Sequence, residues 1–303
     1  MDSKACWKSL SSWLPRSAAV NASAPSPPLD ATQSVVLPAQ LRLMSYNIQA
    51  GIQTRTYHQY FTRGWRHVLP DTGRLPNLRR IAGVIGGFDL VGLQELDAGS
   101  LRSGFVDQTA FLGDCADFTY RYQQTNRPLG RFAQHSNGLL SRLPAYSVTE
   151  HRLPGRIPGR GALMVRFGQA NASLLVVLVH LALSRRARLK QLAYISEQIS
   201  PREHAIMMGD FNCHSRSPEL AALCARSDLR EPLHDLPTYP SWRPARNIDH
   251  ILVSPSLTVE SAEVLDAPLS DHLPMTMTVR LPAALIGSSE SIELTAREPA
   301  RGY

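Results

Sequence analysis

The sequence predicts an α+β fold in which β-sheets stack on one another with helices on the outside. Three observations carry that prediction. Short strand-like runs dominate the stretch between residues 40 and 283. Only two segments within it show convincing helical periodicity. Several of the runs are almost continuously apolar, as expected where both faces of a sheet are covered.

Taken in order, strands are expected at residues 41–48 (LRLMSYNI), 89–94 (DLVGLQ), 162–167 (ALMVRF) and 173–180 (SLLVVLVH). Three more follow at 205–209 (AIMMG), 248–254 (IDHILVS) and 274–281 (PMTMTVRL). The first helix, residues 77–85, places Leu78, Ile81, Ala82 and Ile85 on one face ahead of a Gly86-Gly87 stop. The second, residues 184–199, opens with a serine cap, aligns Leu189, Leu192, Ser196 and Ile199, and stops before Pro201.

Outside this domain of residues 40–283 the composition changes. Residues 1–39 are rich in Ser, Ala and Pro, including Ala24-Pro25-Ser26-Pro27-Pro28, and read as a disordered leader. Within it Cys6, Trp7, Leu10, Trp13 and Leu14 fall at helical spacing beside Lys4 and Lys8. A short surface-binding helix is the alternative there, although one so short is marginal in water. Residues 284–303 read as a flexible polar tail. The domain between contains no internal linker and no short repeat.

At 303 residues with 43% apolar and 19% charged side chains, the chain can bury a sizeable core. Its longest apolar run, Leu174 to Leu183, is ten residues long and contains His180, too short to span a bilayer. The four cysteines are scattered without a C-x-x-C pair, so neither a disulfide framework nor a zinc knuckle is expected. No signal-peptide core opens the chain, and a cytoplasmic monomer is the expectation. The net charge of +7 favours an anionic partner: a phosphorylated small molecule, nucleic acid or an anionic membrane surface met peripherally. Lysine occurs only at positions 4, 8 and 190. The arginine excess suits phosphate recognition, and a coding bias would produce it equally well.

Polar, oxygen-bearing residues cluster at the ends of the apolar runs. Asn47 ends the first, Glu95 follows the second, His180 ends the 173–180 run, and Asp210 and Asn212 follow the 205–209 run. Asp249 starts its strand, and Asp271-His272 precedes the last one. A carboxylate or amide beside an apolar strand is costly unless paired or ligated. A hard divalent cation such as Mg²⁺, with Mn²⁺ as the alternative, explains the set together.

The segments SYNIQAG, LQELD, SNGLLSR, VHLALS, GDFN, NIDHILVS and LSDHLP resemble, in identity and order, the motifs of the endonuclease/exonuclease/phosphatase superfamily. That superfamily includes pancreatic-type deoxyribonucleases, exonuclease-type apurinic endonucleases, neutral sphingomyelinases and inositol polyphosphate 5-phosphatases. The resemblance implies a four-layer α/β/β/α sandwich of two mixed sheets. It implies metal ligation by Asn47, Glu95 and Asp271, with Glu95 the principal ligand. It implies that Asp210 orients or deprotonates the attacking water, that Asn212 positions water and phosphate, and that His272 contacts the phosphate while Asp249 fixes its tautomer. His180 would support the departing oxygen. Phosphodiester hydrolysis needs an in-line water, neutralised non-bridging oxygens and help for the leaving group, and this set can supply all three.

Alternatives stay open at several positions. Asp210 with Asn212 could form an Asx turn, Asp249 could pair with Arg246, and Asn137 could be a turn residue instead of a phosphate contact. His250 reads as a hydrogen-bonded core histidine and Cys213 as packing. Val179-His180-Leu181-Ala182-Leu183 departs from the V-Y-x-P-N segment of the apurinic endonucleases. The Asn137–Arg142 segment is similar to the G-N-A-[IV]-L-S-R of sphingomyelinase-like and small bacterial members, with Gly138 in place of alanine. Residues 53–80 interleave arginines with aromatics, among them Arg63 and Arg66, candidate substrate contacts that could instead belong to a packed helical insertion. A second such patch runs through Tyr120-Arg121-Tyr122 and residues 127–132. The leading expectation is a Mg²⁺-dependent phosphodiesterase acting on a small-molecule or lipid-headgroup substrate. A nuclease on DNA or RNA and a non-catalytic phosphate-binding module are the alternatives.

Overall fold

The computed structural model describes residues 35–52, 73–129, 133–155, 159–232 and 234–286. In chain order these form β1 (Gln40–Asn47), α1 (Arg74–Ile85), β2 (Leu90–Asp97), α2 (Gln108–Cys115), β3 (Tyr120–Leu129), β4 (Ala133–Ser141), β5 (Ala145–Arg152) and β6 (Gly161–Gln169). There follow β7 (Ala172–His180), α3 (Arg185–Gln198), β8 (His204–Asp210), α4 (Pro218–Arg226), β9 (Asp249–Val253), β10 (Thr258–Val264) and β11 (Met275–Arg280).

The strands build two sheets, ordered β10-β11-β1-β2-β4-β3 and β5-β6-β7-β8-β9. Each contains one parallel pair, β1 with β2 and β7 with β8, and each pair has a helix between its strands in the chain, α1 or α3. The remaining pairings are antiparallel. A helix between parallel strands returns the chain to the same starting edge, so the C-terminal ends of both strands open at one end of the sheet.

Side-chain alternation divides the apolar residues among three layers. Leu41 and Leu43 of β1 join Ile206 and Met208 of β8 between the sheets, while Met44 and Tyr46 point the other way. There α1 and α2 cover them with Leu78, Ile81 and Leu112. On the far side α3 and α4 lay Leu192, Ile195, Leu220 and Leu223 over Met207 and Val177. The result is the expected four-layer sandwich, helices outside two packed mixed sheets.

The seven expected strands and two helices are all present, with ends shifted by a few residues. The strands β3, β5 and β10 escaped prediction because they are sheet edges rich in polar side chains, whereas the fourth edge, β9, is buried throughout and was legible. Such an edge strand has one neighbour and keeps polar side chains, and no position of β10 is fully buried. Interior β4 carries Gln134, His135, Ser136 and Asn137 in sequence, which hides its pattern. The helices α2 and α4 are short, although each has a capping side chain, Asp107 and Ser217.

Three further expectations need correcting. Leu189 is exposed, because the inner face of α3 is instead Arg188, Gln191, Leu192, Ile195 and Ser196. Leu37 and Leu285, outside the expected boundaries of 40 and 283, are both buried in the inter-sheet core. Tyr122 is core rather than ligand surface: its hydroxyl accepts from the Ala145 N–H at 2.7 Å and its ring meets Phe167 edge-on. Arg121 is likewise engaged, with the Ala110 carbonyl and the Asp114 carboxylate. Residues 130–132 of that patch, the leader through residue 34 and residues 53–72 with Arg63 and Arg66 lie outside the described residues. Among the described residues no helix is long and apolar enough to cross a membrane.

Candidate active site

Strand register brings the polar residues together. Asn47 is paired with Gln94 across β1 and β2, so Glu95 stands one step beyond Asn47. In the second sheet His180 pairs with Asp210, and Asp210 with Asp249. Glu95 lies inside β2 rather than after it. Between Leu93 and Leu96 the register with β4 shifts, so that Gln94 and Glu95 together oppose Asn137. Glu95 adopts φ 56°, and this bulge re-aims its carboxylate. Gly138, beside the bulge, stands where the resembled motif has alanine. A Cβ there would stand 2.6 Å from Leu96 Cδ1, so the close approach favours glycine.

Side chains from both sheets then converge. Asn47 Nδ2 donates to Asp210 Oδ2 at 3.2 Å and to Glu95 Oε1 at 3.4 Å. His180 Nε2 lies 3.4 Å from Asp210 Oδ2 and 3.9 Å from Glu95 Oε1. His272 Nδ1 lies 2.8 Å from Asp249 Oδ2, and its Nε2 lies 4.0 Å from Asp210 Oδ2. The Asn212 N–H donates to Asp210 Oδ1 at 2.9 Å, and its side-chain amide donates to the Leu181 carbonyl at 3.0 Å. Asn212 sits at φ 53°, a turn geometry that Asn tolerates. The Asx-turn reading of Asp210 with Asn212 therefore describes the local backbone and coexists with the cluster. Asp249 pairs with His272 and Thr238, not with Arg246, whose guanidinium lies over the Tyr239 ring. Asp271 is held nearby by the loop before β11, where Ser241 donates to the carbonyls of Ser270 and Asp271.

The electrostatics follow from crowding acids in a buried place. Burial, reinforced by the Asp249 charge, pushes Asp210 up to about 7. Burial likewise raises Asp271 to about 6, with Glu95 adding to the shift. Burial opposes charge on His272, but the Asp249 carboxylate outweighs it and raises the imidazole to about 10. Burial and the neighbouring Arg160 hold His180 well below its ordinary value, so it is neutral. Asp249 Oδ1 is buried without a partner.

This donor set fits a hard divalent cation. Four carboxylates face two histidines, one of them neutral; burial is the main cause of the raised Asp210 and Asp271, and the neighbouring Asp249 and Glu95 charges add to it, so a cation beside these oxygens would offset both. Asp210, Asp249 and His272 offer ligand atoms within 4.8 Å of one another. A cation among those three would meet a charged imidazolium already bonded to Asp249. The region of Glu95, whose side chain is 34% exposed, with Asn47 and Asp271 beside it, has accessible oxygens and no such conflict.

Asn137 is buried on β4 opposite the Glu95 bulge, and its amide faces the Gly161 carbonyl at 3.5 Å. Sequence reasoning missed three participants. Arg160, in the connection before β6, feels the charges of Glu95 and Asp210. Thr238 donates its hydroxyl to Asp249. Glu231 accepts from His250 Nδ1 at 2.6 Å beneath the 210–214 turn. None carries a motif, because each reaches the site from a connecting segment. His250 is the expected hydrogen-bonded core histidine, and Cys213 packs in the core as expected, where burial raises its thiol to about 11.

No curated protein sequence matches the chain significantly. Solved structures show the same fold. An endonuclease/exonuclease/phosphatase from Beutenbergia cavernae DSM 12333 superposes with TM-score 0.64 at 22% identity, covering 81% of this chain and 72% of that one. The mannosyl-6-phosphatase of Bacteroides thetaiotaomicron VPI-5482 gives 0.59 at 17%, covering 79% and 99%. The human Nocturnin catalytic domain, with bound sulfate anion, gives 0.57 at 15%, covering 82% and 96%. Residues 44–272 match the model of one family, and that span contains every candidate residue: the chain belongs to the Endonuclease/Exonuclease/phosphatase family.

Proposed function

We propose that this chain is a divalent-metal-dependent phosphoesterase that hydrolyses a phosphodiester by in-line attack of water, on a small-molecule or lipid-headgroup substrate. The observation that carries the reading is the convergence of Asn47, Glu95, His180, Asp210 and the Asp249–His272 pair at one end of both sheets. A cation held by Glu95, Asn47 and Asp271 would supply positive charge to the non-bridging oxygens of the phosphate.

The chain's own residues account for the rest. His272, kept protonated by Asp249, presents Nε2–H as a charged donor to a phosphate oxygen. Asp210, with its carboxylate steered by the Asn212 N–H, orients the water and takes its proton. His180 is a neutral imidazole whose remaining proton can steady the leaving oxygen. Asn137 and Arg160 stand close enough to the Glu95 bulge to help place the phosphate.

The test is release of 4-nitrophenol from bis(4-nitrophenyl) phosphate with Mg²⁺ and with EDTA, using Asp210→Ala and His272→Ala as controls. Turnover is expected only in the native protein with the ion. Activity that survives chelation or both substitutions would overturn the mechanism. The similarity to a mannosyl-6-phosphatase makes 4-nitrophenyl phosphate the parallel substrate, and faster hydrolysis of that monoester would reassign the chain to phosphatase activity.

A further inference from the structure

Beyond His180 the chain enters a short loop, residues 181–184, that belongs to two places at once. Its inner side is tied to the candidate site: the Leu181 N–H donates to the Asp210 carbonyl at 2.9 Å, and the Leu181 carbonyl accepts from Asn212. Its outer side, Ala182 and Leu183, walls a cavity of about 710 Å³. Pro154 and Gly155 supply part of the remaining wall, and Ala187 and Gln191 of α3 another part. Arg160 stands at the junction, lining the cavity while feeling the charges of Glu95 and Asp210. Arg160 and the 181–184 loop are thus shared between the cavity wall and the charged cluster.

Its chemistry is unusual for a surface cleft. Arg160, Arg186 and Lys190 all line it, and none has a side-chain hydrogen bond or ion pair with another described residue. Gln191 is fully buried and lines it too; its Oε1 accepts from the Ala182 N–H at 2.9 Å, while its buried Nε2 has no partner. A buried donor without a partner is expensive unless something else meets it. Between the cations the surface is aliphatic, and Leu183 is 76% exposed beside it. The described lining contains no aromatic and no acidic side chain. Nucleobases are held by stacking on aromatic rings, which this wall does not offer.

We infer that this cavity binds the non-reacting part of an amphiphilic phosphoester, an aliphatic chain lying against Pro154, Ala182, Leu183 and Ala187 with its anionic head at Arg160. Arg186 and Lys190 flank the chain's entry and favour a ligand of net negative charge. The volume suits a ligand of small-molecule size. This deepens the reading above and rests on it for the position of the phosphate.

Binding is measured by calorimetry on the full chain in EDTA, so that no catalysis is required. The probes are octyl phosphate, inorganic phosphate and adenosine 5′-monophosphate. Octyl phosphate is expected to bind at least about tenfold more tightly than either of the others, since several methylenes leave water. Ala187→Trp, which fills the cavity, and the Arg186→Glu/Lys190→Glu double variant should each weaken octyl phosphate by about tenfold or more. Arg226→Glu, an exposed charge reversal at the end of α4, should leave the affinity unchanged. Should Ala187→Trp fail to fold, Leu183→Asp at an exposed position puts the same wall to the test. Equal affinity for octyl and inorganic phosphate, tighter binding of the nucleotide, or native affinity in a wall variant overturns the inference. Hydrolysis of bis(4-nitrophenyl) phosphate is scored separately, so loss of one reading does not disguise loss of the other.

Discussion

Asp249 accepts a hydrogen bond from Nδ1 of His272 at 2.8 Å, from the first residue of β9 to the loop before β11. That pairing directs Nε2 of the imidazole toward Asp210 and stabilises its protonated form. Asp249→Asn removes the charge while keeping a polar side chain of the same shape. Turnover is expected to fall roughly a hundredfold or more, as for other losses of a positioned acid. The sign of the pH effect is also defined. His272 is raised by Asp249, so without that charge it gives up its proton at lower pH, and the alkaline limb of the rate profile should move down. A variant with lower rate but an unmoved alkaline limb would show that Asp249 acts only by packing.

The proposed cation at Glu95 would stabilise the folded chain, because the unfolded chain has no such site. Mg²⁺ at a hundredfold excess over Kd should add about 2.7 kcal/mol to the unfolding free energy. Glu95→Gln keeps the side-chain shape and should abolish most of that increment, with little effect on melting in EDTA because Glu95 is partly exposed. Differential scanning of both proteins with and without the ion decides it. An equal Mg²⁺-dependent shift in both would place the ion elsewhere.

Much of this architecture was legible in the sequence, for identifiable reasons. Strands buried on both faces, such as Ala172–His180, must be apolar throughout, so they stand out. The polar residues ending them stand out by contrast, which is why Asn47, His180, Asp210, Asp249 and His272 could be named and do converge. The polar edge strands β3, β5 and β10 and the residues Arg160, Thr238 and Glu231 were not legible. Those strands carry no apolar run, unlike the buried edge strand β9, and those three residues reach the site through tertiary packing of loops that carry no period.

Gly209 directly precedes Asp210 at φ 147°, and a Cβ on it would meet the Val179 carbonyl oxygen at 1.9 Å. The obstacle is backbone of the paired strand β7, so no side-chain rotation relieves it. Gly209→Ala should cost about 3 kcal/mol or more, combining backbone strain with overpacking. Because the strain falls where β7 and β8 present His180 and Asp210, activity should fall with stability. Urea unfolding of the variant within about 0.5 kcal/mol of native would refute the account, that being the usual range for a harmless substitution.

His250 lies behind the turn that carries Asn212, with Glu231 Oε1 2.6 Å from Nδ1 and the Cys213 carbonyl 2.7 Å from Nε2. Both ring nitrogens face acceptors, so the ring is an imidazolium donating twice. Burial opposes its charge, but the Glu231 bond and charge prevail and raise it above 6.5. Burial also opposes ionisation of Glu231, and the bonds from His250 and its neighbours win, holding it below 4.5. The signs then set a window. The depressed Glu231 contributes stability above 4.5 that is lost as pH falls through its folded value. The raised His250 contributes fully below 6.5 and loses its contribution as pH rises through its folded value. The pair therefore supports the fold most strongly between those limits. His250→Gln should cost about 3 kcal/mol there, as expected for breaking a buried charged pair, and progressively less at alkaline pH. It should also lower turnover, because the Cys213 carbonyl anchors the turn that positions Asn212 against Asp210. Urea unfolding of both proteins across the pH range provides the comparison, and a stability difference that stays constant from acid to alkaline pH would show that His250 is buried neutral.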